Sequence, residues 1–109
     1  MLHPNPEMLV RIAQGDAYGA AAEYLKLPRD QAVREAALRF NRYLAHPTHG
    51  DHQPGQYTDD TQMSIAVAEV ILEGPGDAAD ERHQFADAFV RAFRRDPRKG
   101  YSRKFQAFL

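Results

Sequence analysis

Apolar residues recur at helical spacing along most of this chain. Met8, Leu9, Ile12 and Ala13 share one face, which predicts a first helix starting at Pro6, where a missing N–H costs nothing, and running to about Leu25 ahead of Pro28. Asp30 is placed to cap a second helix from Gln31 through Ala36. Its continuation over residues 37–44 is ambiguous, because Leu38 and Phe40 alternate with Arg39 and Asn41 like a strand while Phe40, Tyr43 and Leu44 repeat like a helix. We read it as helix.

A loop rich in Pro, Gly and His over residues 46–55 leads into the most apolar run of the chain. From Thr61 to Leu72 that run is apolar nearly all round, which predicts a central, buried helix stopped by Gly74-Pro75-Gly76. Asp80 is the next candidate cap. Phe85, Ala86, Phe89, Val90 and Phe93 form a stripe read as core, with Arg91, Arg94 and Arg95 as solvated charges favoured by the helix C-terminus and Pro97 as the stop. Residues 101–109 resemble the first turns of a further helix, and the sequence ends inside that apolar pattern, as a cut chain would. The expected fold class is all-α, a single partial domain over residues 1–109 without internal repeat or linker.

Composition narrows the function classes. A hydrophobic content of 43% with 27% charged residues suits a globular chain. A net charge of −1 gives no electrostatic reason to expect nucleic acid or an anionic membrane as partner. Cysteine is absent, which excludes disulfides and thiolate metal sites. The first residues, Met1-Leu2-His3-Pro4-Asn5-Pro6, lack a signal-peptide pattern, and no apolar run reaches the roughly 18 residues of a membrane span. A soluble cytoplasmic protein is the expectation.

Three stretches carry candidate chemistry. In the first helix, Gly15 and Gly19 each cost about 1 kcal/mol relative to alanine, so either a close approach of backbone or ligand or some other gain must offset them. On a continuous helix, Asp16 and Glu23 would lie about 20° from alignment, sharing a face with Gly19 and Ala20. Solvated acids beside small residues in a crowded core explain the segment equally well. His46, His49 and His52 recur at three-residue intervals but are interrupted by Pro47 and Gly50. They read as an exposed polar loop rather than a metal site. The third stretch is Thr58-Asp59-Asp60-Thr61. It can cap the buried helix, with Asp59 and Gln62 at capping-box spacing, or offer its oxygens to a hard cation. The helix dipole favours carboxylates there and opposes a cation, so a metal would depend on the carboxylate charge.

Taken together, Gly15-Asp16-Ala17-Tyr18-Gly19 with Glu23, then Gly55-Gln56-Tyr57-Thr58-Asp59-Asp60-Thr61-Gln62-Met63, then Gly100-Tyr101-Ser102 and Phe105, resemble the N-terminal part of the ADP-ribosylglycohydrolase family. That family includes the enzyme that reactivates dinitrogenase reductase. The resemblance implies an all-α fold with Mg2+ or Mn2+, commonly two ions, that removes ADP-ribose from modified side chains or related conjugates. It implies Thr58, Asp59 and Asp60 as metal ligands and Glu23 as an acid near the metals and the scissile ribose. Asp60 and Glu23 are the catalytic candidates, and which of them is the general base stays open. Glu23, Asp16, Gly19, Gly100 and Tyr101 fall on the substrate side, Asp16 and Gly19 chiefly by supporting the first helix. These residue types suit the reaction, since acids near the anomeric carbon stabilise a positively charged transition state and a base activates water.

The chain departs from the family pattern in one respect: no second Asp-rich motif follows Thr61. Two acids and a threonine supply too few ligands for the six oxygens magnesium takes. The expectation is half a site, and an isolated 109-residue chain that is inactive or nearly so. The alternative is a non-catalytic binding or structural member of the same fold, like the family's crystallin-like relatives. Self-association through exposed apolar surface is a further expectation.

Overall fold

A computed structural model of the chain describes residues 3–47, 49–74, 76 and 80–109. Among them every regular element is a helix: α1 (Pro6–Gly19), α2 (Gln31–Ala37), α3 (Asp59–Glu73), α4 (Glu81–Arg95) and α5 (Arg103–Phe108). The expected all-α class holds. No helix among the described residues is long and apolar enough to cross a membrane.

The entry to α1 is built as its sequence suggests. Pro6 occupies the first turn, and the Asn5 carboxamide oxygen accepts from the Glu7 and Met8 amides at 3.0 and 3.4 Å. Its exit differs from the reading. The helix stops at Gly19, about six residues short of Leu25, and residues 20–24 form turns. A poor helix propagator at Gly19 lets the ladder tighten, with the Ala22 N–H donating to the Gly19 carbonyl at 2.9 Å. The turn buries Ala20 and Ala21 beside Ala17 and takes Glu23 off the helix, so Asp16 and Glu23 do not share a helical face.

The second helix is also shorter than expected. Asp30 precedes it without capping it. Its buried carboxylate instead accepts from the Lys26 amide at 2.8 Å and from Arg29 Nε and Nη2 at 3.0 and 2.8 Å. The expected continuation to Leu44 is absent because α2 ends at Ala37. Its last carbonyl is taken by the Tyr18 hydroxyl and by the Phe40 amide, so none is left for the next helical turn. Phe40 then adopts a left-handed backbone (φ 52°) and stacks on the Tyr18 ring at 5.4 Å.

Helix α3 lies between α1 and α4 and packs against both. Its core with α4 is built from Ala66, Val70, Ala88 and Ala92, with Phe85 and Phe89 packed over them. Small side chains at the centre let the two helices approach closely, and the phenylalanine stripe closes the sides. The all-round burial expected of α3 is realised on two faces only. Leu72 is 67% exposed, and Val67 and Ile71 line an open apolar groove with Met8, Leu9 and Ile12 of α1. Gly74 ends the helix at φ 85°, a conformation that favours glycine. Pro75, read as part of the same stop, lies outside the described residues. Asp80 makes no side-chain cap to α4. Arg91 and Arg95 are exposed as expected and also pair with Glu73 and Glu69 of α3 at 2.8 and 2.6 Å. The last helix is capped by the Ser102 hydroxyl, which accepts from the Phe105 amide at 3.2 Å.

Asp30 provides a pH test of this framework. The Arg29 guanidinium first, and the Lys26 amide second, hold its carboxyl at about 2, below the value of 3.8 it regains on unfolding. Its contribution is therefore complete above that unfolded value and is lost as the pH falls through about 2. Urea midpoints at pH 5 and pH 2.5 should fall further for the wild type than for Asp30→Asn, which lacks the titrating group.

Candidate active site

The first turn of α3 is held by a carboxylate from another helix. Asp16 of α1 accepts four hydrogen bonds there. Its Oδ2 takes the Thr58 amide at 2.8 Å, the Thr61 amide at 3.2 Å and the Thr61 hydroxyl at 2.6 Å, and its Oδ1 takes the Thr58 hydroxyl at 2.5 Å. This corrects the expected cap. Thr58 is the N-cap residue, yet its side chain makes no cap bond to the helix it precedes, and the Asp59–Gln62 capping box does not form. Asp16 meets the unpaired amides and the helix dipole with one charge. Thr61, buried to 2% exposure, belongs to this arrangement although the reading gave it no site role. The signal was present in its spacing, since Thr58 and Thr61 stand three apart on one side of the helix start.

Asp59 is fixed by the segment that follows α4. Its amide donates to the Lys99 carbonyl at 2.8 Å. Its carboxylate lies against the Cα of Gly100, where an added Cβ would sit 2.8 Å from Asp59 Cγ and closer still to Oδ1. Gly100 also has φ 109°, so both space and backbone demand glycine. Gln62 ties the same segment to α3. It is 3% exposed, its Nε2 donates to the Ala92 and Asp96 carbonyls at 3.0 and 2.5 Å, and its Oε1 accepts from the Tyr101 hydroxyl at 2.8 Å. Burial, and then the nearby Asp59 charge, push the Tyr101 hydroxyl up to about 12, so it stays a proton donor to Gln62. Arg98 completes the strap, 3.8 Å over the Tyr57 ring and paired with Asp96 at 2.7 Å, which lowers the Asp96 carboxyl.

Asp60 is left projecting from this scaffold. It lines an open concavity of about 400 Å³ with Gly15, Asp16, Gly19 and Glu23. Partial burial first, and then the Asp59 and Asp16 charges, raise the Asp60 carboxyl above the ordinary value. A Cβ at Gly15 or Gly19 would meet nothing within 4 Å, so among the described residues no close backbone approach accounts for these glycines. They face the concavity instead. Asp16, Gly19, Glu23 and Asp60 are thus brought together, although Glu23 arrives from the turn after α1.

Glu23 also borders a second cavity of about 490 Å³, shared with Thr58, Gly100, Tyr101 and the three loop histidines. The loop is exposed at His49, as expected, but His46 is half-buried and His52 is buried. His52 is 8% exposed, the His46 ring lies 4.6 Å from His49 and 6.0 Å from His52, and the His49 amide donates to His46 Nδ1 at 3.0 Å. Burial first, and then the two neighbouring imidazoles, lower the His46 pKa.

Among the described residues no group of three or more His, Cys, Asp or Glu side chains is arranged to hold a metal ion. The oxygens of Thr58, Asp59 and Asp60 have the chemistry of a hard-cation site but supply only part of a coordination shell. A family model described as ADP-ribosylglycohydrolase matches residues 8–109. No curated protein and no solved structure matches the chain.

Two substitutions test the scaffold. Asp16→Ala strands four donors, and urea unfolding should report a loss of about 2–4 kcal/mol, since bonds to a charged acceptor contribute more than neutral ones. Gly100→Ala should also destabilise. Adding Asp59→Ala should recover part of that loss, giving a double-mutant coupling that two independent sites would not show.

Proposed function

This chain belongs to the ADP-ribosylglycohydrolase family, and from that premise we propose that it contributes to a metal-dependent hydrolase cleaving the glycosidic bond between ADP-ribose and a modified side chain or related conjugate. The observation that carries the reading is the shared concavity of Asp60 and Glu23, two carboxylates over the open face of Gly15 and Gly19. In this position they would stabilise positive charge developing at the anomeric carbon, and one of them would accept the proton of the attacking water. The bond from that carbon to the modified group breaks as the bond to water oxygen forms, and the leaving group departs protonated.

Thr58, Asp59 and Asp60 would hold one side of a Mg2+ or Mn2+ site, with water and groups outside this set completing it. Bound there, the ion would orient ribose hydroxyls and lower the pKa of a water. The crowding of Asp59, Asp60 and Asp16 fits a divalent cation, because like charges so close together are costly without a counter-charge. Gly100 and Tyr101 serve the substrate side by setting the position of Asp59 and the cavity wall.

The reading assigns activity to the complete protein. With magnesium and an ADP-ribosylated protein as substrate, the full-length product should release free ADP-ribose, and Asp60→Asn should lower kcat about a hundredfold or more, the scale of a lost acid–base group. EDTA should abolish release. Undiminished activity in Asp60→Asn would sink the assignment, while a protein that neither releases ADP-ribose nor binds magnesium or manganese by calorimetry would be the non-catalytic member of the fold.

A further inference from the structure

The histidine loop takes no part in the chemistry proposed above, yet one of its bonds depends on the state of a proton. The His49 amide donates to His46 Nδ1 at 3.0 Å. A ring nitrogen that accepts is unprotonated, so this bond holds His46 as the neutral imidazole with its proton on Nε2. The His52 amide continues the turn by donating to the His49 carbonyl at 3.0 Å. The His46 ring lies 4.6 Å from His49 and 6.0 Å from His52. Neutral imidazoles so close offer a charge on His46 no compensation, and once charged they repel it.

The surroundings decide where a charged His46 turns. The three histidines line the cavity of about 490 Å³ with Glu23 and Tyr24 from the turn after α1, and with Arg98, Lys99 and Tyr101 from the strap. Arg98 pairs with Asp96, and Lys99 with Asp51. The Tyr24 hydroxyl, raised by its bond to Glu23, and the Tyr101 hydroxyl, raised by burial, stay neutral. Among the described residues Glu23 is the only carboxylate lining this cavity, and its charge favours a protonated His46. Burial first, and then the two imidazoles, outweigh Glu23 in the closed loop and hold His46 below its ordinary 6.5.

We propose that His46 is a proton-operated latch on this cavity. Neutral, it accepts the His49 amide and holds the histidine wall in place. Protonated, it loses that bond and turns its N–H donors to Glu23, occupying the carboxylate. The sign follows from the lowered value: the latch is complete above 6.5 and is lost as the pH falls through the folded value of His46. A turn that served packing alone would need no imidazole, since an asparagine or aspartate oxygen accepts the same amide without titrating in this range. The effect on activity rests on the hydrolase reading, in which Glu23 faces the sugar, whereas the latch itself does not.

The test follows the full chain by proton–nitrogen spectra from pH 8 to pH 5, the range in which histidine titrates, in buffer free of divalent ions. The His49 amide should lose its hydrogen-bonded shift in step with protonation of the His46 ring. His46→Asn puts an amide oxygen where Nδ1 stood. At pH 5 its His49 amide should exchange with solvent about tenfold more slowly than the wild-type amide, the scale of one hydrogen bond. Glu23→Gln should move the His46 midpoint further down. A His49 amide indifferent to His46 protonation, or one that loses protection equally in His46→Asn, would overturn the latch. An unmoved midpoint in Glu23→Gln would overturn the pairing with Glu23. In the full-length protein ADP-ribose release should fall on the acid side, and His46→Asn should shift that fall to lower pH. An identical acid limb in both would overturn the control of activity. A working latch in a protein that releases no ADP-ribose at any pH would instead sink the hydrolase reading and leave the latch standing.

Discussion

The Asp16 carboxylate is the point on which the arrangement of α1, α3 and the candidate site depends. A helix start leaves several amides without partners, and in α3 two of them, with two threonine hydroxyls, turn to one acceptor on a neighbouring helix. A single charge thereby joins secondary and tertiary structure. It caps α3 and also fixes where α1 crosses its N-terminus. Because α3 packs against α4 along its alanine-lined face, the same bonds hold the first turn steady against the rest of the fold.

That division of labour bears on the chemistry. Had Thr58, Asp59 or Asp60 been needed as caps, their oxygens would have been directed back at the α3 backbone. With Asp16 supplying the cap, Asp59 settles against Gly100 and Asp60 projects into the concavity with Glu23. The residues after α4 form a second brace. Gln62 bonds the end of α4 and Tyr101 at once, so the Lys99 carbonyl and the Gly100 Cα meet Asp59 in a fixed register. The raised Asp60 carboxyl reflects partial burial first and then the closeness of Asp59 and Asp16.

Much of this was legible along the chain. The α1 entry, the α4 stripe and the glycine stop of α3 follow from local spacing and backbone chemistry, and the structure bears them out. The early stop of the first helix is local, at Gly19, whereas other losses come from groups distant in sequence. The second helix was read too long because the Tyr18 hydroxyl claims the Ala37 carbonyl, which no local pattern encodes. Arg91 and Arg95 are solvated as read, but their pairing with Glu73 and Glu69 went unread because those partners lie on another helix. The burial of His52 and the ring clustering around His46 went unread because they depend on how a loop folds back, not on three-residue spacing.

The sequence alone determined the helical class, the order of the elements and the set of acids available, since periodicity, prolines and glycines act over a few residues. Family membership was also readable there, from motifs that survive without coordinates. Only the tertiary structure decided which acid does what. A helix N-terminus accepts any carboxylate within about 3 Å, and the nearest in sequence, Asp59, loses to Asp16, 42 residues before Thr58. Local composition fixes how many acceptors a site has, but packing fixes which of them are spent on the backbone and which are left free to act.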